Sequence, residues 1–398
     1  MNINIIDFID RCPLPFHFCE YSATILKGKG FTELNEKSEW KEIPEKGFFI
    51  RDGRALIAWN KGGLKSAVIV GTHNDSPCIK IVPDSKASPG NPKFTVSTYG
   101  SGIWKTFFDR ELRLAGRFYE ITETGEIKAH TFDSKEGVGF IPRSADISCE
   151  RQIRPILGAD PKLSILSYVA KLSGVEESRI INYDLSFVDA QKPAQVGTNG
   201  DFVAAARIDN LGSTFCALEA FLKARPKDTL NVLAVFDNEE VGSNTIAGAK
   251  SDLLNSFLRR VVPEEDYASF IARSYIVSSD NAHAWHPNYM HLHEQNHCPL
   301  LGRGPVVKRS PSFQYATDMS SLYPLKKAAE LAGVPLQMII NRNDIQSGST
   351  IGPLAAVNTG IPTIDIGLPQ LAMHSIRELV AVSDVVYAID LLSAIYEH

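Results

Sequence analysis

The stretch TLNVLAVFDNEEVGS, residues 229–243, joins a short apolar run to a cluster of acids. Val232–Phe236 is continuously apolar and contains β-branched residues, which is typical of a strand buried on both faces of a sheet. Asp237, Glu239 and Glu240 follow at once. Because like charges at this spacing repel one another, the cluster requires a nearby positive charge, retained protons or open water.

Similar apolar runs alternate with amphipathic helices along much of the chain. Further buried-type strands are predicted at Ala67–Gly71 and in the segments RSYIVSS and IPTIDIGL. A long helix that ends before Pro226 is predicted by apolar residues at spacings of three and four, namely Ile208, Leu211, Phe215, Leu218 and Leu222. This alternation predicts an α/β fold with a mostly parallel central sheet and flanking helices.

Residues 84–202 interrupt the alternation. The segments KFTVSTYG, RELRLAGRFYEIT and GEIKAHTF are rich in β-forming residues and are separated by glycine and polar turns. We interpret residues 84–202 as a smaller, β-rich inserted domain. The catalytic domain is then discontinuous and comprises residues 1–83 and 203–398.

Composition excludes several classes of function. The net charge of −5 on 398 residues gives no reason to expect nucleic acid or an anionic membrane surface as a partner. We find no signal peptide and no apolar run of about 18 residues that could span a bilayer. The six cysteines are scattered, without a C-x-x-C pair, which argues against a disulfide framework and favours a cytoplasmic location.

Sites in open α/β sheets form beyond the carboxyl ends of strands. The residues at these predicted ends are carboxylates and imidazoles: His73, Asp75, Asp237, Glu239, Glu240, Asp280, His283 and His374, with Asp209 at the start of the long helix. Each alone has a structural explanation, such as a helix cap for Asp209. Their recurrence at five strand or helix ends favours a divalent metal site, and zinc most often takes such ligands.

Other catalytic signatures are missing from the sequence. There is no G-x-S-x-G nucleophile elbow and no G-x-x-x-x-G-K-[ST] phosphate loop. HEQNH at 293–297 has one residue too few between Glu294 and His297 for H-E-x-x-H.

Six ordered blocks carry a family resemblance across nearly the whole chain: THNDSP, ARIDNLGS, FDNEEVGS, SSDNAHAWHPNY, NHCPLLGRGPVVK and PQLAMHSIRE. They resemble the signature blocks of the M18 family of metallo-aminopeptidases. The resemblance implies a zinc-peptidase-like catalytic domain, an inserted domain of the dimerisation type and two divalent metal ions. Zn²⁺ is the first choice, with Co²⁺ or Mn²⁺ as substitutes.

The same resemblance assigns the ligands. Asp209 would bridge the two ions, His73 and Glu240 would complete one shell, and Asp280 and His374 the other. It also implies a cis peptide bond after Asp209.

Two further roles in catalysis follow from the resemblance. Asp75 would accept the second ring N–H of His73 and fix its tautomer. Glu239 would act as general base, and the metal charge would make the acidic cluster tolerable.

The resemblance also implies a specificity pocket built from His283, Lys308 and Tyr315. Lys308 follows two valines, and a lysine directed inwards requires an anionic partner, so we expect it to bind an acidic N-terminal side chain. The inserted domain departs from the family, with Arg143 where relatives carry a histidine that reaches a neighbouring active site. An arginine there could itself meet an acidic substrate.

The expected function is removal of the N-terminal residue, Asp or Glu, from peptides. The alternatives are a preference for neutral residues such as leucine, a related di-metal deacylase or carboxypeptidase, and a non-enzymatic assembly protein. The resemblance implies a homo-oligomer built from dimers, up to a dodecamer, although the shortened insertion could reduce assembly.

Overall fold

The computed structural model describes residues 4–82, 95–143, 153–160, 164–345 and 348–397. Helices and strands alternate along much of this chain, which confirms the α/β class. In the described residues the helices are Ile5–Arg11, Pro15–Gly28, Ile165–Ser173, Ile208–Lys223, Leu253–Val261, Glu264–Arg273, Met319–Ala332, Ile351–Thr359 and Val382–Glu397.

A central sheet, of nine strands within the described residues, positions the site. Its four middle strands with parallel neighbours are short and almost entirely buried, as their apolar composition predicts. In spatial order the sheet contains Thr32–Glu33, Lys46–Arg51, Ala55–Lys61, Leu230–Phe236, Ala67–His73, Tyr275–Ser279, Thr363–Gly367, Val306–Lys308 and Gln337–Ile339.

Helices cover both faces of the central sheet. Because side chains alternate along a strand, Val68 and Val70 enter one hydrophobic core while Ala67 and Ile69 enter another. The first core receives side chains from the helices Ile5–Arg11, Pro15–Gly28, Ile208–Lys223, Met319–Ala332 and Val382–Glu397, and the second from Leu253–Val261, Glu264–Arg273 and Ile351–Thr359.

The middle strands end at one edge of the sheet. Phe236 lies opposite His73 in the register of their two parallel strands, and Ser279 lies opposite Ile366 in theirs. The polar residues that follow these strands are therefore brought together, as expected for the carboxyl edge of an α/β sheet.

A second sheet is antiparallel and has its own hydrophobic core, which includes Phe118 and Phe187. It begins at Cys78, before the predicted start of the insertion at residue 84, and the division into two domains stays a prediction. The strands are Val96–Tyr99, Cys78–Ile81, Ile180–Asp189, Glu111–Ile121 and Ile127–Asp133 in spatial order, with Gly139–Phe140 paired to Glu111–Ile121.

A third, smaller sheet lies where the long helix begins. It pairs Glu378 with Ala205, four residues before Asp209. Its strands in spatial order are Ala194–Val196, Phe202–Ala205, Glu378–Ala381, Pro369–Leu371 and Ala282–His283. Among the described residues, no helix has both the length and the apolar character needed to cross a membrane.

Candidate metal centre

Three carboxylates and two imidazoles converge at the carboxyl edge of the central sheet. His73 is the last residue of its strand, Asp280 follows Ser279 directly, and Asp209 lies in the first turn of the long helix. Glu240 lies in the 3-10 turn Glu239–Val241, and His374 lies in the loop that joins two strands of the third sheet, Pro369–Leu371 and Glu378–Ala381.

The side chains form two groups that share Asp209. His73 Nε2 lies 3.6 Å from Asp209 Oδ1 and 3.5 Å from Asp280 Oδ1. His374 Nε2 lies 3.4 Å from Asp209 Oδ2 and 3.2 Å from Glu240 Oε2. Each group therefore offers three ligand atoms, with one carboxylate oxygen of Asp209 directed to each. Either group could hold a divalent ion.

The grouping differs from the one implied by the resemblance, which placed Glu240 with His73 and Asp280 with His374. The spatial order of the strands explains the difference. The strand Tyr275–Ser279 lies directly beside the strand of His73, so Asp280 reaches that histidine. Glu240 is four residues beyond the end of its strand, and the turn carries it to His374.

Two carboxylate oxygens in these groups have no hydrogen-bond donor among the described residues. Asp209 Oδ1 and Glu240 Oε1 are buried and accept no hydrogen bond. A buried, uncompensated carboxylate is costly, so these oxygens fit a site that receives cations. The histidine and carboxylate donors suit zinc in particular. The Asp209–Asn210 peptide bond is cis, as the resemblance implied.

Asp75 links the first group to the acidic turn. Its Oδ1 accepts hydrogen bonds from His73 Nδ1 at 3.2 Å and from the backbone N–H of Glu239 at 3.1 Å. Its Oδ2 accepts from the hydroxyl of Tyr99 at 2.7 Å and from the backbone N–H of Glu240 at 3.1 Å. Although burial alone would raise it, the hydrogen bond with His73 helps lower the pKa of Asp75. The second ring nitrogen of His73 is thus held by an ionised carboxylate.

Three consecutive residues of the second sheet and its following turn support the centre. Tyr99 contacts Asp75, and the backbone of Gly100 packs so closely on Glu240 that an added Cβ would lie 3.2 Å from the Cβ of Glu240. The carbonyl oxygen of Ser101 accepts a hydrogen bond from His374 Nδ1 at 3.1 Å. Both imidazoles therefore present Nε2 to the shared aspartate.

The pKa of Glu239 is raised to about 8, chiefly by burial, with further contributions from the carboxylates of Asp280 and Asp75. Burial also raises the pKa of Glu240, and the carboxylate of Asp209 adds to the effect. Positive charge in the two groups would lower both pKa values again, because it favours the ionised form.

A cleft of about 400 Å³ opens onto the two groups and onto Glu239. His283, Lys308 and Tyr315 line the same cleft, so the sequence-predicted specificity residues lie together with the predicted metal ligands. The apolar side chains of Leu292 and Ile339 also line the cleft wall.

Lys308 is buried, with 4% of its surface exposed, which rules out a solvated surface lysine. Its Nζ lies 3.3 Å from Asp280 Oδ2 and 5.6 Å from the centre of the Tyr315 ring. The required anionic partner is thus present within the chain. Although burial alone would lower it, the carboxylate of Asp280 raises the pKa of Lys308.

The remaining candidates lie elsewhere or act in turns. Asp237 Oδ1 accepts the backbone N–H of Asn238 at 2.8 Å, which is a structural contact within the turn. Arg143 is paired with Asp109, with its Nε 2.9 Å from Asp109 Oδ2, and does not line the cleft.

Sequence analysis did not identify Tyr99, Ser101 or Glu378. Glu378 accepts the backbone N–H of His374 at 2.7 Å and that of Asp209 at 3.0 Å. It stands in PQLAMHSIRE, four residues after His374, and that proximity was the only signal available.

A buried and a partly buried carboxylate–imidazole group that share one aspartate at the edge of an α/β sheet are typical of two-metal hydrolases. Residues 8–396 match the family model described as aminopeptidase I zinc metalloprotease (M18). The chain belongs to the M18 family and is a metallo-aminopeptidase, a hydrolase that acts on peptide bonds.

Relatives of known sequence and structure agree with this placement. A probable M18 family aminopeptidase 2 of Stutzerimonas stutzeri is 36% identical over 421 residues, covering 100% of this chain and 98% of the relative. The mApe1 dodecamer of Saccharomyces cerevisiae is similar at a TM-score of 0.89 and 31% identity, covering 99% of this chain and 95% of that one. Ape4 in its complex with Nbr1 gives a TM-score of 0.94 at 33% identity, covering 98% and 84%.

Proposed function

We propose that this aminopeptidase uses two divalent ions, Zn²⁺ as first choice, to hydrolyse the first peptide bond of its substrates. The proposal rests on one observation: a buried and a partly buried ligand group share Asp209 and line a cleft together with Glu239. His73 and Asp280 would hold one ion with Asp209, and Glu240 and His374 would hold the other.

The ions, when bound, would lower the pKa of a water molecule and polarise the scissile carbonyl. Glu239 would accept a proton from the attacking water and deliver it to the departing amine. Asp75 holds the backbone N–H of Glu239 and orients His73, so the base and one ligand are fixed by the same carboxylate. The apolar cleft wall would limit the access of bulk water to the reacting atoms.

The experiment compares the wild type with Glu239→Gln. Metal is removed by a chelator and restored with Zn²⁺, and the bound metal is counted on the samples used for kinetics. We expect two ions per chain in both proteins and turnover only in the wild type. Fewer than two ions in active wild-type enzyme, or normal turnover by Glu239→Gln, would contradict the proposal.

We further propose that the enzyme prefers an N-terminal Asp or Glu. Support comes from His283, Lys308 and Tyr315, which line the cleft that contains Glu239. An acidic substrate side chain would share the positive charge of Lys308 with Asp280.

A preference for neutral residues such as leucine is the second candidate. It is favoured by the same Lys308–Asp280 contact, since a lysine that already has a buried carboxylate partner is a weaker receptor for a second one. The apolar residues Leu292 and Ile339 in the cleft wall would suit a leucine side chain.

The two candidates are separated by the ratio of kcat/KM for Asp- and Leu-terminated peptides, measured for the wild type and Lys308→Ala. Removing Lys308 also deprives Asp280 of its lysine partner, but that damage should lower both rates and cancel in the ratio. The acidic candidate requires the Asp/Leu ratio to fall in the variant. An unchanged ratio would favour the neutral candidate.

We also propose a homo-oligomer, because the similar mApe1 chain forms a dodecamer. Light scattering on the purified protein tests this. A cytoplasmic location is proposed only on the scattered cysteines; those in the described residues are free thiols.

A further inference from the structure

Glu378 is a buried carboxylate with an unusual set of partners. Only 2% of its surface is exposed, and within the described residues it forms no ion pair with a lysine or arginine. Its two oxygens accept backbone N–H groups instead: Oε1 from His374 at 2.7 Å and Oε2 from Asp209 at 3.0 Å. Burying a carboxylate without a cation is costly, so these two contacts need an explanation.

The two N–H groups belong to the elements that deliver the shared aspartate and its histidine partner. Asp209 lies at the start of the helix Ile208–Lys223 but has non-helical backbone angles (φ −81°, ψ 107°), so its N–H group precedes the regular helix and needs a partner from outside it. His374 has a positive φ of 65° in a loop, a conformation that L residues adopt rarely. One carboxylate therefore ties a helix start to a strained loop residue.

We propose that Glu378 is a positioning residue for the metal centre, which sets the distance between the backbones of Asp209 and His374. The side chains of these two residues lie 3.4 Å apart, from Asp209 Oδ2 to His374 Nε2, on the ligand side of the same backbone segments. Glu378 does not touch the reacting atoms. It acts by holding two ligands in register, and this inference rests on the proposed two-metal function.

Glu378→Gln is the direct perturbation. The side chain keeps its shape and one acceptor oxygen, but its NH₂ group cannot accept a hydrogen bond, so one of the two N–H groups meets a donor. Asp209 keeps a hydrogen bond from the hydroxyl of Ser76 to its carbonyl oxygen, and His374 keeps one from the backbone N–H of Ile103 to its own. Asp209 and His374 both belong to the group with Glu240, so whichever N–H loses its acceptor, we expect the ion held there to bind roughly 10–100-fold more weakly.

Asp384→Asn is the matched control. Asp384 is a buried carboxylate of the same kind, whose oxygens accept the backbone N–H groups of Gly302 at 2.6 Å and Gly304 at 2.8 Å. The control removes the same charge and the same type of contact, but it holds a loop that supplies no metal ligand. It should lower stability without changing the affinity for metal.

The measurement is metal affinity by competition with a chromophoric chelator, together with the visible absorption spectrum of the Co²⁺-loaded proteins. We expect weaker binding of one ion and an altered Co²⁺ spectrum for Glu378→Gln alone. Equal affinity and spectrum in Glu378→Gln and wild type, or equal weakening in both variants, would overturn the inference. If Glu378→Gln does not fold, Glu378→Asp serves instead, because its shorter side chain keeps the charge but cannot reach both N–H groups.

The outcomes also separate this inference from the proposed function. A wild-type chain that binds no divalent ions would refute both. A wild-type chain that binds two ions, with Glu378→Gln equal to it, would refute the inference alone.

Discussion

Tyr99→Phe removes one hydroxyl group that supports the metal centre from the second sheet. The hydroxyl donates to Asp75 Oδ2 at 2.7 Å and accepts from Asn238 Nδ2 at 2.8 Å. Losing a hydrogen bond to a charged group, and leaving a part-buried amide without its acceptor, should together lower the free energy of unfolding by about 2–4 kcal/mol.

Activity should also fall, but not to zero. Asp75 keeps its hydrogen bonds from His73 and from the N–H groups of Glu239 and Glu240. The imidazole of His73 is then held less firmly, and we expect kcat/KM to fall by roughly tenfold, the lower end of the range for residues behind a metal ligand.

The assay combines denaturant unfolding with peptide kinetics and a metal count on the same preparations. Tyr323→Phe is the control, because Tyr323 is 70% exposed and its hydroxyl should contribute nothing measurable. The reasoning is refuted if Tyr99→Phe matches the control within about 0.5 kcal/mol in stability and retains full activity.

Three further predictions test other parts of the structure. Asp75→Asn should lose more activity and more metal than Tyr99→Phe, since the amide nitrogen would face N–H donors; metal analysis showing full occupancy would argue against this. Chelation should lower the melting temperature, and added Zn²⁺ should restore it, because an ion at 100 times its dissociation constant stabilises the folded state by about 2.7 kcal/mol; a melting temperature indifferent to chelator would contradict a resident ion. Burial lowers the pKa of His17 from its ordinary value of 6.5 to about 4 in the folded chain. Between these two pH values the imidazole binds a proton in the unfolded chain but not in the folded chain. Stability should thus fall by about 3 kcal/mol between pH 6.5 and 4, and a His17→Gln variant with an equally steep pH profile in urea unfolding would show that another group is responsible.

The sequence was sufficient to predict the central sheet and the residues at its edge. Val232–Phe236 and Ala67–Gly71 are buried on both faces, so their composition is uniformly apolar and distinct from that of the β-rich segment. Parallel strands end together, and the polar residues after them were therefore expected to meet. The inward direction of Lys308 could also be anticipated from the two valines before it.

Which ligands share an ion could not be predicted from the sequence in the same way. Whether Asp280 or Glu240 reaches His73 depends on which strand lies beside that of His73 and on the path of the acidic turn. Neither is encoded in local periodicity. We expected Lys308 to have a substrate carboxylate as its anionic partner. In the structure that partner is Asp280 of the same chain.

The residues that hold the metal ligands in place were the hardest to predict from the sequence. Ser101 acts through its backbone carbonyl, a group that every residue type has, so the sequence does not distinguish it. Tyr99 is 24 residues from Asp75, and Glu378 is 169 residues from Asp209, so these contacts become evident only once the second and third sheets are placed against the first.

The contacts of Tyr99, Gly100 and Ser101 have a consequence for how this family can be re-engineered. The β-rich segment contacts residues of the candidate metal centre from outside the cleft, so it is not an interchangeable attachment. A chimera that takes this segment from a distant homologue would have to include the tyrosine–glycine–serine corner unchanged. Otherwise both imidazoles, His73 and His374, would lose hydrogen bonds that orient them. The corner extends to Ile103, whose backbone N–H donates to the carbonyl oxygen of His374 at 2.8 Å, so the transplanted piece would have to include that residue as well.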